Sequence, residues 1–410
     1  MSEAPGLPFR QARVRMLLAV MFCYLFYYTG RQTFGFAIPG IVQELHVNKA
    51  QLGWCSAALL WAYALGQAVN GQLADRVGGR RLMTLGGLCS CALNWVTSFG
   101  GGLWTLGVPW SANGLAQSMG WAPGSRILSN WWEKKHRGLI YGCYVFAAGA
   151  SSIAAFVMAS SVLHFHLGWR WIFRLPVLFL LFGSVAFWFL ARNRPSDLGF
   201  PYLPLDPGES AAPPGETAWQ RYRVALTNPR FLLASLSIGF QSLARYGLLV
   251  WVPVHFLGKD WENSPDKWLS VALPVGMAVG AVTNGWLSDR LFGGGRSRLI
   301  AIFLACATIA AGGMWLLPRG HIAVVPLLFL TGFFVYGPQA GYWALCPDLL
   351  GSRHAGTGTG VMNCFAYTFA GFGEPLIGHL IESTGLTAII FLVVGAACLC
   401  GLLLILLVRA

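Results

Sequence analysis

The chain has 410 residues, of which 56% are hydrophobic and 10% are charged, and its mean hydropathy is +0.58. A soluble enzyme carries about 25% charged residues, so this composition excludes that class, and it excludes intrinsic disorder as well. The formal net charge of +13 does not indicate nucleic-acid binding, because so apolar a chain offers no basic face for it. We therefore interpret the chain as an integral membrane protein and the basic excess as a signal of its topology.

Twelve apolar runs along the chain are long enough to cross a hydrocarbon core about 30 Å thick. They predict an all-α polytopic membrane protein with twelve transmembrane helices, six on each side of a more polar segment. The predicted spans are 17–42, 52–74, 82–104, 106–129, 138–162, 169–190, 231–257, 269–287, 299–317, 322–345, 355–381 and 386–408.

The positive charges concentrate in one set of connecting segments. If both termini and the even-numbered connections are cytoplasmic, that side holds nineteen lysines and arginines and the opposite side holds six. Cytoplasmic segments of membrane proteins carry such an excess, so the distribution predicts that both termini lie in the cytoplasm.

A sequence repeat divides the chain into two halves. Asn-Gly-Gln-Leu-Ala-Asp-Arg at 70–76 closes the second predicted span, and Asn-Gly-Trp-Leu-Ser-Asp-Arg at 284–290 closes the eighth, 214 residues later. Arg31 and Arg245 are separated by the same offset. The repeat predicts that the two halves share one fold and that these two arginines occupy equivalent positions.

The repeat and the composition together predict the domain organisation. Residues 1–193 form an N-terminal six-helix half and residues 230–410 a C-terminal six-helix half, joined by a proline-rich cytoplasmic linker over 194–229. Two parallel halves joined in this way resemble the major facilitator fold, in which the substrate binds near the membrane midplane between the halves.

The stretch Gly-Gln-Leu-Ala-Asp-Arg-Val-Gly-Gly-Arg-Arg at 71–81 resembles the signature of that superfamily between helices two and three. In the family, the acid and the bases of this loop form a cytoplasmic charge network that helps to hold the outward-open state. The resemblance implies this gating role for Asp75 and Arg76, and the repeat extends it to Asp289 and Arg290.

Arg31 and Arg245 lie inside apolar spans, where a charged side chain costs roughly 2.5–3.5 kcal/mol at the helix centre. One alternative is that each pairs with a carboxylate of another helix, but Glu374 is the one clear intramembrane acid and cannot neutralise both. We therefore predict an anion site. A guanidinium group matches phosphate through two parallel hydrogen bonds and stays charged at any working pH.

Several short stretches, taken together and in order, resemble the organophosphate:phosphate antiporter family, which includes exchangers of glycerol-3-phosphate, hexose phosphate and glucose-6-phosphate. The resemblance covers almost the whole chain. The stretches are Tyr-Tyr-Thr-Gly-Arg at 27–31, Met-Gly-Trp-Ala-Pro at 119–123, Asn-Arg-Pro-Ser-Asp-Leu-Gly at 193–199, Arg-Tyr-Gly at 245–247, Tyr-Gly-Pro at 336–338 and Ala-Gly-Thr at 355–357.

The resemblance implies a set of substrate-binding residues centred on the two arginines. In the family, the positions of Arg31 and Arg245 bind the phosphate group, and other positions line the cavity. The implied lining residues are Tyr24, Tyr28, Gln32, Gln67, Trp121, Tyr336 and Tyr367.

Four positions depart from the family pattern, and the site loses charge of both signs. Gln32 and Gln67 replace lysines of sugar-phosphate exchangers, Val250 replaces an aspartate of glycerol-phosphate carriers, and Ala148 replaces a histidine. Glutamine still donates hydrogen bonds to a hydroxyl or a phosphate oxygen. The departures leave the organic part of the substrate open.

We therefore predict a secondary transporter that exchanges an organic phosphate or phosphonate for inorganic phosphate by alternating access. One alternative is a proton-coupled organic-anion symporter with Glu374 or His255 as the proton carrier. The other is a sugar-phosphate sensor of the same fold. Because the sequence shows no nucleophile, base and orienting group at spacings typical of an active site, we expect no enzymatic activity.

The expected partners follow from this interpretation. They are a small anionic substrate, inorganic phosphate and the lipid bilayer, with no nucleic acid, no cofactor and no metal ion. The family resemblance implies a monomer, and the short termini and compact loops favour a bacterial inner membrane.

Overall fold

A computed structural model of the protein describes residues 7–47, 49–165, 167–201, 216–257, 269–291 and 295–408. Over these ranges the regular secondary structure is helical and contains no β-strand. The all-α prediction is therefore confirmed.

The described residues of the first part of the chain form nine α-helices. They are α1 (Leu7–Tyr27), α2 (Phe34–Leu45), α3 (Lys49–Val77), α4 (Gly79–Ser98), α5 (Leu103–Gln117), α6 (Trp121–Trp131), α7 (Arg137–His164), α8 (Arg170–Arg174) and α9 (Pro176–Leu190). Together they account for the first six predicted spans.

A helix of the linker and seven longer ones follow. They are α10 (Ala218–Thr227), α11 (Pro229–Leu257), α12 (Leu269–Arg290), α13 (Arg296–Leu316), α14 (Val324–Tyr336), α15 (Pro338–Leu350), α16 (Ala355–Thr384) and α17 (Ile389–Leu406). All except α10 lie in the last six predicted spans, so within the described residues the twelve spans correspond to sixteen helices.

The difference in number arises because four spans are interrupted. The first breaks at a 3-10 turn over Tyr28–Gly30, and the sixth breaks where Pro176 begins α9. The fourth breaks between α5 and α6, and the tenth breaks at Gly337, directly before the proline that begins α15. Proline explains the breaks of the sixth and tenth spans, because it lacks the N–H that a continuing helix requires. The breaks free backbone carbonyl groups inside the protein, and neighbouring side chains hydrogen-bond to several of them.

Six helical stretches of the described chain are long and apolar enough to cross a membrane by length and composition alone. They are Pro8–Ile38, Arg170–Leu190, Pro229–Val252, Arg296–Leu316, Val324–Leu350 and Ile389–Leu406. Helix α3 is more polar, because it carries buried amide side chains such as Gln67 and Asn70. Such polar groups face protein rather than lipid, since an unsatisfied polar group in lipid costs several kcal/mol.

The chain forms two compact units that differ slightly from the two sequence halves. One unit comprises Met1–Glu133, Ala147–Tyr222 and Gly351–Val361, and the other comprises Lys134–Phe146, Arg223–Leu350 and Met362–Ala410. The start of α7 therefore belongs to the second unit and the start of α16 to the first. The division into halves at 1–193 and 230–410 with a linker over 194–229 stays a prediction.

An aromatic cluster in the first unit fixes the direction of α2. The Phe34 ring stacks on Trp110 of α5 with centroids 4.8 Å apart, and Phe173 of α8 packs edge-on against Trp110 at 5.5 Å. All three side chains are buried. Because Phe34 is the first residue of α2, this packing anchors the chain just after the break that contains Arg31.

Candidate functional site

Arg31 lies in the interruption between α1 and α2. The backbone N–H groups of Arg31 and Gln32 both donate to the carbonyl oxygen of Tyr28, at 3.1 and 2.9 Å. The helix then restarts at Phe34. A predicted intramembrane arginine therefore occurs where the helix is interrupted, as in the discontinuous helices of other transporters.

Two tyrosine rings flank the guanidinium group of Arg31. Its Cζ atom lies 4.0 Å from the ring centroid of Tyr28 and 4.7 Å from that of Tyr63 in α3. A cation over an aromatic face is attracted by the quadrupole of the ring. The rings carry no net charge, so these contacts orient the guanidinium group without neutralising it.

An aromatic cluster continues from this arginine into α6. The Tyr24 ring packs edge-on against Tyr28 at 5.8 Å and against Trp121 at 5.1 Å. Tyr24, Tyr28 and Trp121 are all buried. The structure thus brings together three of the predicted lining residues of the first half, next to Arg31.

Arg245 has a similar environment in the second unit. Its Cζ atom lies 4.7 Å from the ring centroid of Tyr246 and 4.7 Å from that of Tyr336, the last residue of α14. The ring of Tyr367 in α16 lies 5.7 Å from Tyr246. The predicted residues Arg245, Tyr336 and Tyr367 are therefore connected, because Arg245 contacts Tyr336 and Tyr246 joins Arg245 to Tyr367. Arg245 lies within a continuous helix, whereas Arg31 does not.

The tyrosines around the two arginines are not related by the repeat. The residues 214 positions after Tyr28 and Tyr63 are Ser242 and Met277. Each unit thus places two tyrosine rings against its arginine, but the tyrosines of one unit are not the repeat equivalents of those of the other. Tyr63 and Tyr246 were missed by the sequence analysis. Tyr246 adjoins Arg245 in sequence, whereas no local signal marks Tyr63.

The two predicted glutamines differ in exposure. Gln32 is exposed. Gln67 is fully buried, and its Nε2 donates to the carbonyl oxygen of Ser118 at 3.1 Å. Ser118 directly follows α5, so its carbonyl is one of those freed by the interruption of the fourth span. Gln241 of α11 similarly donates to the carbonyl of Val335 at 2.7 Å, at the interruption of the tenth span.

Of the two predicted proton carriers, the structure describes the side chain of His255. His255, near the end of α11, is buried, and its Nδ1 lies 2.8 Å from Oγ1 of Thr387. The same hydroxyl accepts a hydrogen bond from Nη2 of Arg319 at 2.6 Å. His255 is therefore held by a hydroxyl group next to a fixed positive charge. The side chain of Glu374 lies outside the described part of the structure.

Within the described part of the chain, no three His, Cys, Asp or Glu side chains lie together as a group that could hold a metal ion. All ten cysteines are free thiols, and most are buried or partly buried. They pack as small side chains.

Asp75, at the end of α3, binds the first turn of α16. Its carboxylate accepts hydrogen bonds from the backbone N–H groups of Gly356 and Thr357 at 3.1 and 2.8 Å, and from the Thr357 hydroxyl at 2.6 Å. Arg126 of α6 approaches it with Nε at 3.1 Å. A carboxylate at a helix N-terminus also interacts favourably with the helix dipole. We call Asp75, Arg126, Gly356 and Thr357 the Asp75 network.

The linker extends the Asp75 network. Arg221 of α10 lies 3.8 Å from Asp75 and 3.3 Å from Glu216, which also pairs with Arg353 and, at 2.9 Å, with Nε2 of His354. Burial raises the pKa of the Glu216 carboxyl. Hydrogen bonds from His354 and Arg353, with the charges of His354 and Arg221, outweigh that effect and hold its pKa below the ordinary value.

Asp289, the repeat equivalent of Asp75, binds the first turn of α7. Its carboxylate accepts hydrogen bonds from the backbone N–H groups of Gly138 and Leu139 at 3.1 and 2.7 Å. Arg296, which is fully buried, pairs with Asp289 at 3.0 Å and with Asp348 at 2.6 Å. We call Asp289, Arg296, Asp348, Gly138 and Leu139 the Asp289 network.

The two aspartates thus lie in buried networks. The arginine that follows each aspartate in sequence, Arg76 or Arg290, is not the one that pairs with its carboxylate. Arg76 instead approaches the Glu216 carbonyl at 3.5 Å, and Arg290 makes a cation–π contact with Trp286. Arg126 and Arg296 pair with the aspartates instead. Neither arginine was predicted as a site residue, because in sequence both resemble other basic residues near the ends of spans.

Comparison with known proteins places these features in a family context. The model of the Major Facilitator Superfamily matches residues 20–373. The chain is similar to a probable hexose phosphate transport protein of Chlamydia pneumoniae, with 26% identity over 88% of this chain and 84% of the relative. It is also similar to a glycerol-3-phosphate transporter of Bacillus subtilis, with 26% identity over 91% and 87%, and to the membrane sensor protein UhpC of Escherichia coli, with 27% identity over 90% and 86%.

Two solved structures share the fold at low sequence identity. The proton:xylose symporter XylE superimposes with a TM-score of 0.75 at 13% identity, over 98% of this chain and 96% of that one. The fucose:proton symporter FucP of Escherichia coli superimposes with a TM-score of 0.73 at 12% identity, over 98% and 99%. The predicted twelve-span fold and the predicted family resemblance are confirmed.

Proposed function

Because the chain belongs to the Major Facilitator Superfamily, we propose that it is a secondary transporter that exchanges an organic phosphate or phosphonate for inorganic phosphate by alternating access. Relatives that match along most of the chain are named as carriers of hexose phosphate, glycerol-3-phosphate and phosphoglycerate. They share a phosphorylated substrate and differ in its organic part. The phosphate group is therefore the proposed recognition element.

In this proposal Arg31 and Arg245 bind the phosphate group. The observation that carries it is that each arginine is held by two tyrosine rings in its own unit. Such contacts fix the direction of a guanidinium group and leave it charged. An arginine oriented in this way offers parallel N–H donors to a phosphate, with less conformational entropy to lose on binding.

The proposal gives a physical reason for obligatory exchange. In a low-dielectric site, two guanidinium groups that approach without an anion repel each other. A phosphate dianion between them lowers the energy of the states through which the protein must pass, whereas the empty protein meets the full barrier. Coupling then requires no difference in substrate affinity between the two end states.

We assign the gating role to the Asp75 and Asp289 networks. Each joins residues from both sequence halves, because Asp75 binds the start of α16 and Asp289 binds the start of α7. Alternating access requires such contacts to open and re-form once per cycle. The charge distribution supports a cytoplasmic position for these ends and for both termini, in a bacterial inner membrane.

A second candidate function is sensing. UhpC of Salmonella typhimurium, named as a membrane sensor protein, is 27% identical over 95% of this chain and 91% of its own. A sensor of this fold would bind a sugar phosphate and signal its presence without bulk transport. Binding without flux distinguishes this function from exchange.

Exchange in proteoliposomes tests the proposed function. Vesicles that contain the protein are loaded with labelled inorganic phosphate, and organic phosphates, phosphonates and carboxylates are added outside. We expect efflux with phosphorylated compounds and none with carboxylates. Tight binding without efflux would favour the sensor, and uptake driven by a pH gradient without internal phosphate would favour the proton symporter.

A further inference from the structure

The carbonyl oxygen of Gly30 is held by two buried amide side chains. It accepts hydrogen bonds from Nδ2 of Asn113 in α5 at 2.7 Å and from Nδ2 of Asn94 in α4 at 3.0 Å. A carbonyl at the end of a helix lacks its usual intrahelical partner. The two amides supply that partner at the interruption of the first span.

These amides are themselves fixed. Oδ1 of Asn113 accepts a hydrogen bond from the Ser90 hydroxyl at 2.7 Å, and that hydroxyl accepts one from Nε2 of Gln117 at 2.7 Å. Nδ2 of Asn94 also donates to the Ser90 carbonyl at 2.9 Å. All four side chains are at most 1% exposed. A connected buried network of this kind rigidifies its members.

Gly30 fits this network because it has no side chain. A Cβ atom at Gly30 would lie 2.6 Å from Nε2 of Gln117 and 2.7 Å from the Ser90 hydroxyl oxygen. The repeat places Ala244 at the equivalent position, within the continuous helix α11. The network is therefore specific to the first half and to the interruption beside Arg31.

The Gly30 carbonyl and the Arg31 N–H belong to one planar peptide group. The oxygen is held by Asn113 and Asn94, and the N–H donates to the Tyr28 carbonyl at 3.1 Å. Both ends of the group that begins Arg31 are thus fixed. The direction of the Arg31 side chain follows from the orientation of that group and from the two tyrosine rings.

We propose that Asn113 and Asn94 are positioning residues, which orient Arg31 toward the anion through the peptide group between Gly30 and Arg31. The part that concerns the anion rests on the proposed function. A purely structural role predicts lower stability alone. The positioning role predicts in addition a more mobile segment around Arg31 and weaker phosphate binding.

The test compares Asn113→Leu and Asn94→Leu in the full-length protein with Asn130→Leu. Asn130 is a matched control, because its Nδ2 also donates to a backbone carbonyl, that of Asn193, at 2.9 Å in the same unit. Hydrogen exchange of residues 28–34 and the KM for inorganic phosphate are measured. Leucine has the same number of side-chain heavy atoms and the same branch point as asparagine, and it donates no side-chain hydrogen bond.

We expect both variants to accelerate exchange over 28–34 and to raise the KM about tenfold with a small change in the maximal rate, as expected for one lost hydrogen bond. Asn130→Leu changes neither quantity. Unchanged exchange over 28–34, or faster exchange with an unchanged KM, would overturn the proposal.

Two further measurements keep the proposal testable. Gly30→Ala disturbs the same peptide group while it keeps both amides. We expect it, too, to accelerate hydrogen exchange over 28–34 and to raise the KM for phosphate. It therefore replaces an asparagine variant that does not fold. If the wild-type protein exchanges no phosphate, the proposed function fails. In that case the positioning role is tested by two measurements that need no transport. These are hydrogen exchange over 28–34 and phosphate binding to the detergent-solubilised protein, each compared between the wild type and the variants.

Discussion

The Asp75 carboxylate accepts hydrogen bonds from both the backbone N–H and the hydroxyl of Thr357, at 2.8 and 2.6 Å. These residues are 282 positions apart in sequence. The side chain of Asp75 is fully buried, and Arg126 compensates its charge at 3.1 Å. The start of α16 is therefore tied to the end of α3 by a charged group that has no access to water.

Asp75→Asn removes the charge but keeps the shape of this side chain. It leaves the Arg126 charge buried without its acid, and loss of one partner of a buried ion pair costs about 3–5 kcal/mol. We expect a large drop in the thermal unfolding midpoint. Asp197→Asn is the control, because Asp197 is exposed and its carboxylate accepts hydrogen bonds from backbone N–H groups of its own turn. Equal midpoints for the two variants would show that the Asp75 network does not stabilise the contact between α3 and α16.

Glu216 predicts a pH dependence of stability. Its pKa is held below the ordinary value of 4.5, so the folded state favours the ionised form. The stabilisation is complete above that ordinary value and is lost as the pH falls through the lowered pKa. The stability difference between wild type and Glu216→Gln should therefore be present at neutral pH and shrink below about pH 4.5. A difference that grows on acidification would contradict this assignment.

Gly71 predicts a steric effect at the contact between α3 and α16. A Cβ atom there would meet the Gly356 carbonyl and lie 2.8 Å from Cα of Gly360, both backbone atoms that cannot rotate away. We expect Gly71→Ala to cost about 1–3 kcal/mol, as overpacking does. Gly312→Ala is the control, because nothing lies within 4 Å of a Cβ atom at that position of α13. Scanning calorimetry of both variants measures the effect, and a stabilised Gly71→Ala protein would refute the close contact.

The arginines predict a specific loss of affinity. Arg31→Lys and Arg245→Lys keep the positive charge but lose the planar pair of donors. Each lost charged hydrogen bond is worth about 1.5–3 kcal/mol, so we expect phosphate binding to weaken by about 10- to 100-fold. Arg194→Lys, at an exposed position of the linker, should have no effect. Titration calorimetry checks the prediction, and wild-type affinity in both site variants would contradict it.

The number and approximate position of the spans could be predicted from sequence, because span length is set by bilayer thickness and the repeat is visible at one offset. The interruption of the first span was not predictable in the same way. The break at Gly30 depends on Asn94 and Asn113, which come from two other helices. Local sequence does not reveal such a tertiary contact.

The residues of the candidate site could also be predicted from sequence only in part. Arg31 and Arg245 could be identified because a charge in an apolar span is costly and rare. Tyr63, which packs on Arg31, lies in α3 with no sequence relation to it. Arg126 and Arg296 resemble ordinary basic residues near span ends, and only their burial beside aspartates distinguishes them.

Obligatory exchange is tested most directly by labelled phosphate efflux from proteoliposomes, with and without unlabelled phosphate outside. We predict rapid efflux with external phosphate and almost none without it, because the proposed exchange requires phosphate to bind Arg31 and Arg245 in each direction of the cycle. Arg31→Lys and Arg245→Lys should each slow the stimulated efflux. Equal efflux with and without external phosphate, or undiminished efflux in both variants, would contradict the assignment of these arginines to a phosphate exchange site.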